Sequence, residues 1–365
     1  MTSRAFYNDC LGPYEEYMTR LLGYDRLLPM NTGVEGGETA IKLARKWAYE
    51  VKGVADGQAK IVFAENNFWG RTLAAISASS DPSARNHFGP YMPGYEMVPY
   101  NNLKAVQTLF EQQGKNIAAI MLEPIQGEAG VVVPDDGYLA GVHRLCKKHN
   151  ILLIADEVQT GLGRTGKMLC SEWSGIKPDI TILGKALSGG VMPVSAVLTS
   201  HEVMLTLKPG EHGSTYGGNP LACVVAKAAV EALVEERMAE NSMRMGDIFR
   251  SEMRALQADS HGMVTAVRGK GLFNAVVIHP TPGRSAMDVC MAMRDVAPVG
   301  LLAKPTHNDI IRFAPPLVIN EQQLRQGCDI IKGAVKKLQN KSTGMTAAKA
   351  TVTSASAAKP QAASA

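Results

Sequence analysis

The chain has 365 residues, 45% hydrophobic and 20% charged, the balance of a globular protein with a large core in two lobes, and no apolar run approaches the length of a membrane span. Its formal net charge of +4 is small, and Lys341, Lys349 and Lys359 lie in a tail without acids, so the body is close to neutral and offers no nucleic-acid surface. Six scattered cysteines form no CxxC pair and read as idle thiols in a reducing compartment; eight histidines show no ligand spacing, so no metal site is expected.

Met1 to Tyr7 is neither a signal peptide nor an Arg-rich presequence. A helix-like segment follows at once over 14–22, as though the chain opened within a domain. Helices are predicted at 35–51, 71–79, 102–113, 137–149 and 219–236, and strands at 60–63, 117–122, 151–155 and 179–183. This alternation implies an α/β fold, a mostly parallel sheet covered on both faces. After about Arg237 the pattern changes to a smaller α+β lobe. It has a helix to 256, strands at 263–268, 272–278, 300–303 and 310–313, and helices at 285–296 and 321–338. The expected domains are therefore 1–236, 237–340 and a disordered Ala/Ser/Thr/Lys tail over 341–365, which has no aromatic residue to bury.

Asp156 ends the apolar run that starts at Ile151, and Lys185 ends a second that starts at Ile180. Both lie just past the carboxyl ends of strands, where open α/β sheets bind ligands. An amine and a carboxylate together are what pyridoxal phosphate needs, one to hold its aldehyde and one to keep its pyridine nitrogen protonated. Alone, each is also an ordinary loop or cap residue.

Other motifs leave alternatives open. Gly161-Leu-Gly-Arg-Thr-Gly166-Lys167 matches a dinucleotide fingerprint and nearly a P-loop. However, Met168 replaces the magnesium-binding hydroxyl, and little room remains for a long helix before Pro178, so a flexible loop is the preferred reading. Asn31-Thr-Gly33-Val34-Glu35 opens a helix whose amides suit a phosphate, or is a plain capped start. His212-Gly-Ser-Thr215-Tyr-Gly-Gly218 is a second Gly-rich turn with hydroxyls. Phe68-Trp69-Gly70-Arg71 offers rings for stacking and a guanidinium for carboxylates, or core packing and a surface charge. Glu123 and Glu128 could serve as acid and base, as ion-pair partners or as solvated loop residues. Arg312 is a charge within an apolar run and calls for a partner or ligand.

Taken together, these residues resemble the class III pyridoxal-phosphate aminotransferases, and among them the ornithine-specific branch. The segments that carry the resemblance start at Asn31, Asn67, Glu123, Asp156, Leu183 and His212, and it extends over about Thr2 to Leu338. It implies fold type I and the cofactor pyridoxal 5'-phosphate. Lys185 would hold the aldehyde and then act as base, with Asp156 on the pyridine nitrogen, Gln159 beside the ring hydroxyl and Phe68 on the ring face. Gly33 and Val34 amides would hold the phosphate, joined by Thr215 from the other subunit of a homodimer with shared sites. Glu123 is counted with the cofactor-binding residues and Trp69 with the substrate-binding ones.

The implied reaction moves the terminal amine of L-ornithine to 2-oxoglutarate, giving L-glutamate 5-semialdehyde and L-glutamate. Arg71 would hold a substrate carboxylate in both halves, Arg312 would bind the α-carboxylate of glutamate, and Glu128 would mask Arg312 while ornithine is bound. The alternatives are acetylornithine or 4-aminobutyrate transfer, a catalytically impaired cofactor-binding subunit, or a nucleotide enzyme using Gly161 to Lys167. Family members carry a segment before the position of Met1 that supplies part of the small lobe, the dimer contact and the substrate site; the sequence starts after it. Gly36 stands where the class often has Ala. The expected compartment is the cytoplasm, with the mitochondrial matrix as the alternative.

If masking directs regiochemistry, Glu128→Ala lowers the ratio of distal to α-amine transfer. Product analysis with ornithine checks this, and a ratio equal to that of the unmutated protein rejects the switch.

Overall fold

The alternation of strands and helices resolves into a seven-stranded sheet in the computed structural model, which describes residues 6–355, with side chains to 339. The strands are β1 (Arg26–Met30), β2 (Lys60–Ala64), β3 (Tyr95–Val98), β4 (Ile117–Leu122), β5 (Leu152–Asp156), β6 (Ile180–Leu183) and β7 (Ser195–Thr199), in the order β1-β7-β6-β5-β4-β2-β3. β3, β2, β4, β5 and β6 run parallel; β7 is antiparallel to both β6 and β1. The mostly parallel α/β sheet expected from the sequence is therefore present.

Sequence reading missed β1, β3 and β7. β1 contains Pro29, which only an edge strand accommodates easily, and β3 is the polar strand at the other edge. β7 is short, built largely of small residues, and recognisable only by its pairing on both sides.

Alternating strand side chains feed two cores. On one face, Ile61, Phe63, Ile154 and Ile182 pack with Ile41, Leu43, Ala44 and Trp47 of helix Gly33–Trp47. On the other, Val62, Ile120 and Leu153 meet Val106 and Phe110 of helix Leu103–Gln113 and Val142 and Cys146 of helix Tyr138–His149.

Helix Gly33–Trp47 starts with a capping box, in which Thr32 Oγ1 accepts from the Glu35 amide and the Glu35 carboxylate accepts from the Thr32 amide. It lies close to the sheet because two of its residues lack side chains. A Cβ on Gly36 would stand 2.8 Å from Ile182 Cγ2, and one on Gly37 would stand 2.6 Å from Trp69 Cε3. The glycine at 36 is thus a close-approach residue in this chain. The regular helix ends at Trp47 and widens into a π-helical turn, Ala48–Lys52, within the span read as continuous helix.

The chain divides into two compact units. The first holds residues up to Gly246 with Gly269–Phe273 and Pro315–Val318; the second holds Asp247–Arg268, Asn274–Ala314 and residues from Ile319 on. A second sheet, in the order β10-β11-β9-β8, is formed by β8 (Val264–Lys270), β9 (Phe273–Ile278), β10 (Lys304–Thr306) and β11 (Ile310–Phe313). The strand expected at 300–303 lies instead at Lys304–Thr306, where antiparallel pairing with Ile310–Arg312 selects it. The disorder expected over 341–365 lies outside the residues described with side chains. No helix among the described residues is long and apolar enough to cross a membrane.

Trp69 fills the space above Gly37 and stacks on Phe63, with ring centres 5.9 Å apart. Gly37→Ala should therefore destabilise the protein by about 1–3 kcal/mol, the usual cost of overpacking. Urea denaturation measures it, and an unchanged midpoint contradicts this packing.

Candidate active site

Four adjacent strands deliver the site residues at their carboxyl ends. β2 leads to Phe68 and Trp69, β4 to Glu123, β5 ends at Asp156, and β6 leads through Gly184 to Lys185. Gly33 and Val34 come from the helix start beside them. All of these, with Gly70, Val158 and Gln159, line one cavity of about 260 Å³. The carboxylate and the amine on which the sequence reading depended thus share a single cavity.

Asp156 is 6% exposed, and its Oδ1 accepts from the Val158 amide at 3.1 Å. Burial pushes its pKa up to about 6; the Val158 amide and the Lys185 ammonium oppose that rise and the Glu157 charge adds to it. Lys185 remains accessible and takes a left-handed backbone, φ 41°. Such a conformation costs a non-glycine residue about 1–3 kcal/mol and is concentrated at functional sites.

Glu123 is buried, and its two oxygens accept from the Phe68 amide at 3.1 Å and the Gly127 amide at 2.9 Å. It ties the aromatic loop to the turn that carries Glu128. Burial, reinforced by the Asp156 charge, pushes its pKa up to about 8 against those two amides and Lys185. The turn is closed by paired bonds between Gln126 and Val132, and Gln126 Nε2 donates to the Glu65 carbonyl at 2.7 Å. Glu128 is half-buried within it.

Gly33 gives the helix start its close approach, since a Cβ there would meet Val158 Cγ1 at 3.0 Å. The amides of Gly33 and Val34 lie in the first helical turn, where no carbonyl of the helix can accept from them. Gln159 lies over Gly127, whose Cβ would fall 2.7 Å from its amide group. The Arg71 guanidinium, exposed, lies over the Phe68 ring at 5.5 Å from its centre. Trp69 lines the cavity while most of its indole is in the core.

Four expected residues, Arg71, Glu128, Thr215 and Arg312, are absent from the cavity lining. Thr215 is exposed and absent from the cavity lining, on a loop anchored by Asn31 Nδ2 to Ser214 Oγ at 2.9 Å and by Thr39 Oγ1 to His212 Nε2 at 2.9 Å. Arg312 is on β11 in the second unit, paired with Ala275 and Lys304. Sequence reading missed Val158 and Gly70. Val158 is two residues past Asp156, and that spacing after a strand was the available signal. Gly70, φ 149°, would carry a Cβ 2.3 Å from Val34 Cγ2, a contact no sequence pattern reveals.

The stretch Gly161 to Lys167, read from the sequence as a flexible loop, is a run of turns. Most of it is buried, and Leu162 and Gly163 amides donate to Met168 and Lys167 carbonyls. The element after it is the five-residue 3-10 turn Cys170–Ser174, so no long helix follows to hold a pyrophosphate. Among the described residues no group of three or more His, Cys, Asp or Glu is placed to hold a metal ion.

A carboxyl that holds its proton more tightly when folded adds stability at low pH and loses it as pH rises. For Glu123 the window runs from the ordinary 4.5 to about 8. The cofactor-free protein should lose stability from pH 6 to 8 at up to roughly 1 kcal/mol per pH unit through this group, and Glu123→Gln should flatten that slope. Urea midpoints at the two pH values test it; equal slopes reject the assignment.

The aminotransferase class-III family model matches residues 1–335. An ornithine aminotransferase of Drosophila melanogaster, named as mitochondrial, is 60% identical over 335 residues, covering 92% of this chain and 75% of the fly protein. The crystal structure of the ornithine aminotransferase from Toxoplasma gondii superposes with a TM-score of 0.90 at 44% identity, over 93% of this chain and 80% of that one; a second structure of that enzyme is described with PLP at partial occupancy in its active site. An acetylornithine aminotransferase from Elizabethkingia anophelis superposes with a TM-score of 0.82 at 49% identity, over 92% and 81%. The chain therefore belongs to the class III aminotransferases, whose cofactor is pyridoxal phosphate.

Proposed function

We propose that this chain moves the terminal amine of L-ornithine to 2-oxoglutarate, giving L-glutamate 5-semialdehyde and L-glutamate. The observation that carries the reading is the joint presence of Asp156 and Lys185 in one small cavity beside a glycine-lined helix start. The residues present fit the cofactor. A buried carboxylate suits a cationic ring nitrogen, an accessible amine suits an aldehyde, and first-turn amides suit a phosphate.

When bound, pyridoxal phosphate supplies an aldehyde that captures amines and a cationic ring that accepts the electron pair of a broken C–H bond. The chain's own residues do the rest. Asp156 holds the proton on the ring nitrogen. Lys185 would hold the aldehyde and would move the proton at the substrate carbon. Gly33 and Val34 bind the phosphate, Gln159 orients the ring hydroxyl, and Phe68 covers the ring, with Glu123 fixing the backbone of the Phe68 loop. Trp69 forms the wall beside the substrate, and Arg71 and Arg312 are the two guanidinium groups for substrate carboxylates. Thr215, exposed on an anchored loop outside its own cavity, suits a contribution to a second copy's phosphate site in a homodimer.

The 60% identity to the fly protein favours ornithine, and that protein's description as mitochondrial favours a mitochondrial location over the cytoplasm. The Elizabethkingia structure supports one second reading, acetylornithine transfer. Comparing kcat/KM for ornithine and acetylornithine separates the two. Lys185→Ala should abolish both the covalent attachment of the cofactor to the chain on borohydride reduction and turnover. A variant that keeps either one overturns the assignment of Lys185.

A further inference from the structure

Glu157 follows Asp156 at the end of β5, and successive side chains leave a strand on opposite sides. Asp156 lines the cavity, whereas Glu157 does not. Its carboxylate, 1% exposed, accepts from the Thr160 hydroxyl, from the Cys170 amide at 3.0 Å and from the Ser171 amide at 2.8 Å. Its own amide donates to the Ile182 carbonyl at 3.0 Å and its carbonyl accepts from the Gly161 amide at 2.9 Å. Five hydrogen bonds thus fix one residue at the point where the strand enters the site.

All three donors to the carboxylate are neutral, and together they occupy both oxygens as an ionised carboxylate allows. Burial pushes the pKa of Glu157 up, and these donors oppose that. When ionised, a carboxylate held there by neutral groups acts on its surroundings through a medium that screens poorly. Its nearest relation to the chemistry is Asp156, one residue away, whose affinity for a positive charge it increases.

We propose that Glu157 is a positioning residue for the cofactor's ring nitrogen, acting through Asp156. Its hydrogen bonds lock the strand end on which Asp156 stands, and its charge strengthens the hold of Asp156 on the protonated pyridine. This rests on the pyridoxal-phosphate reading above. A merely structural Glu157 would hold the segment Cys170–Ser174 and affect any ligand of the cavity equally.

The test uses cofactor-free full chain, unmutated and as Glu157→Gln, titrated by fluorescence with pyridoxal phosphate and with an analogue in which CH replaces the ring nitrogen. The variant should bind pyridoxal phosphate about tenfold more weakly, roughly 1.4 kcal/mol, while its affinity for the analogue is unchanged. Equal losses for both compounds, or no loss for either, overturn the proposal. If Glu157→Gln does not fold, Thr160→Val removes one donor from the carboxylate and is read in the same way. Unmutated protein that binds the analogue but not pyridoxal phosphate overturns the inference and the cofactor assignment together, a result distinct from the preceding ones.

Discussion

A carboxylate taken out of water is costly unless a cation or several donors meet it. Asp156 is in that position, with one recorded amide donor and Lys185 among the charges that stabilise it. Glu123 is buried beside it, so two carboxyl groups line a cavity of about 260 Å³, and the buried Glu157 follows Asp156 in the chain. Such a site disfavours anions at its Asp156 end and favours a flat cation. The helix start at Gly33, in the same lining, offers the opposite preference. A ligand that is cationic at one end and phosphorylated at the other satisfies both, which is the chemical description of pyridoxal phosphate.

The precision of that arrangement comes from backbone rather than from side chains. Gly36 and Gly37 let the helix settle against Ile182 and Trp69 at distances that any Cβ would violate, and a Cβ on Gly33 would press on Val158. Glu123 bonds two loop amides instead of a side chain, and Lys185 accepts a left-handed conformation to reach the cavity. Strain and close packing of this kind are retained where the surrounding fold over-determines them.

Much of the site was legible because the chemistry is concentrated in short segments. Asp156 and Lys185 each end an apolar run, and a parallel sheet places such ends on one edge. Gly70 was not legible, since it matters through Val34, a neighbour distant in sequence. The same reason hid β1, β3 and β7. An edge strand carrying Pro29, a polar edge strand and a small-residue strand have weak local patterns, and each is specified by its partner. The β10 strand shifted from 300–303 to Lys304–Thr306 because pairing with β11, not apolar composition, sets its register.

By itself the sequence determined the class of fold and the family, and singled out Asp156 and Lys185 as candidates, because periodicity and motif spacing are properties of neighbouring residues. Only the tertiary structure decided that Asp156, Lys185 and the helix start share one cavity, that Gly161 to Lys167 is a buried turn, and that Glu157 is held behind the site by the Cys170–Ser174 segment. Those facts depend on segments that meet across the sheet, and burial and electrostatic coupling exist only once they have met.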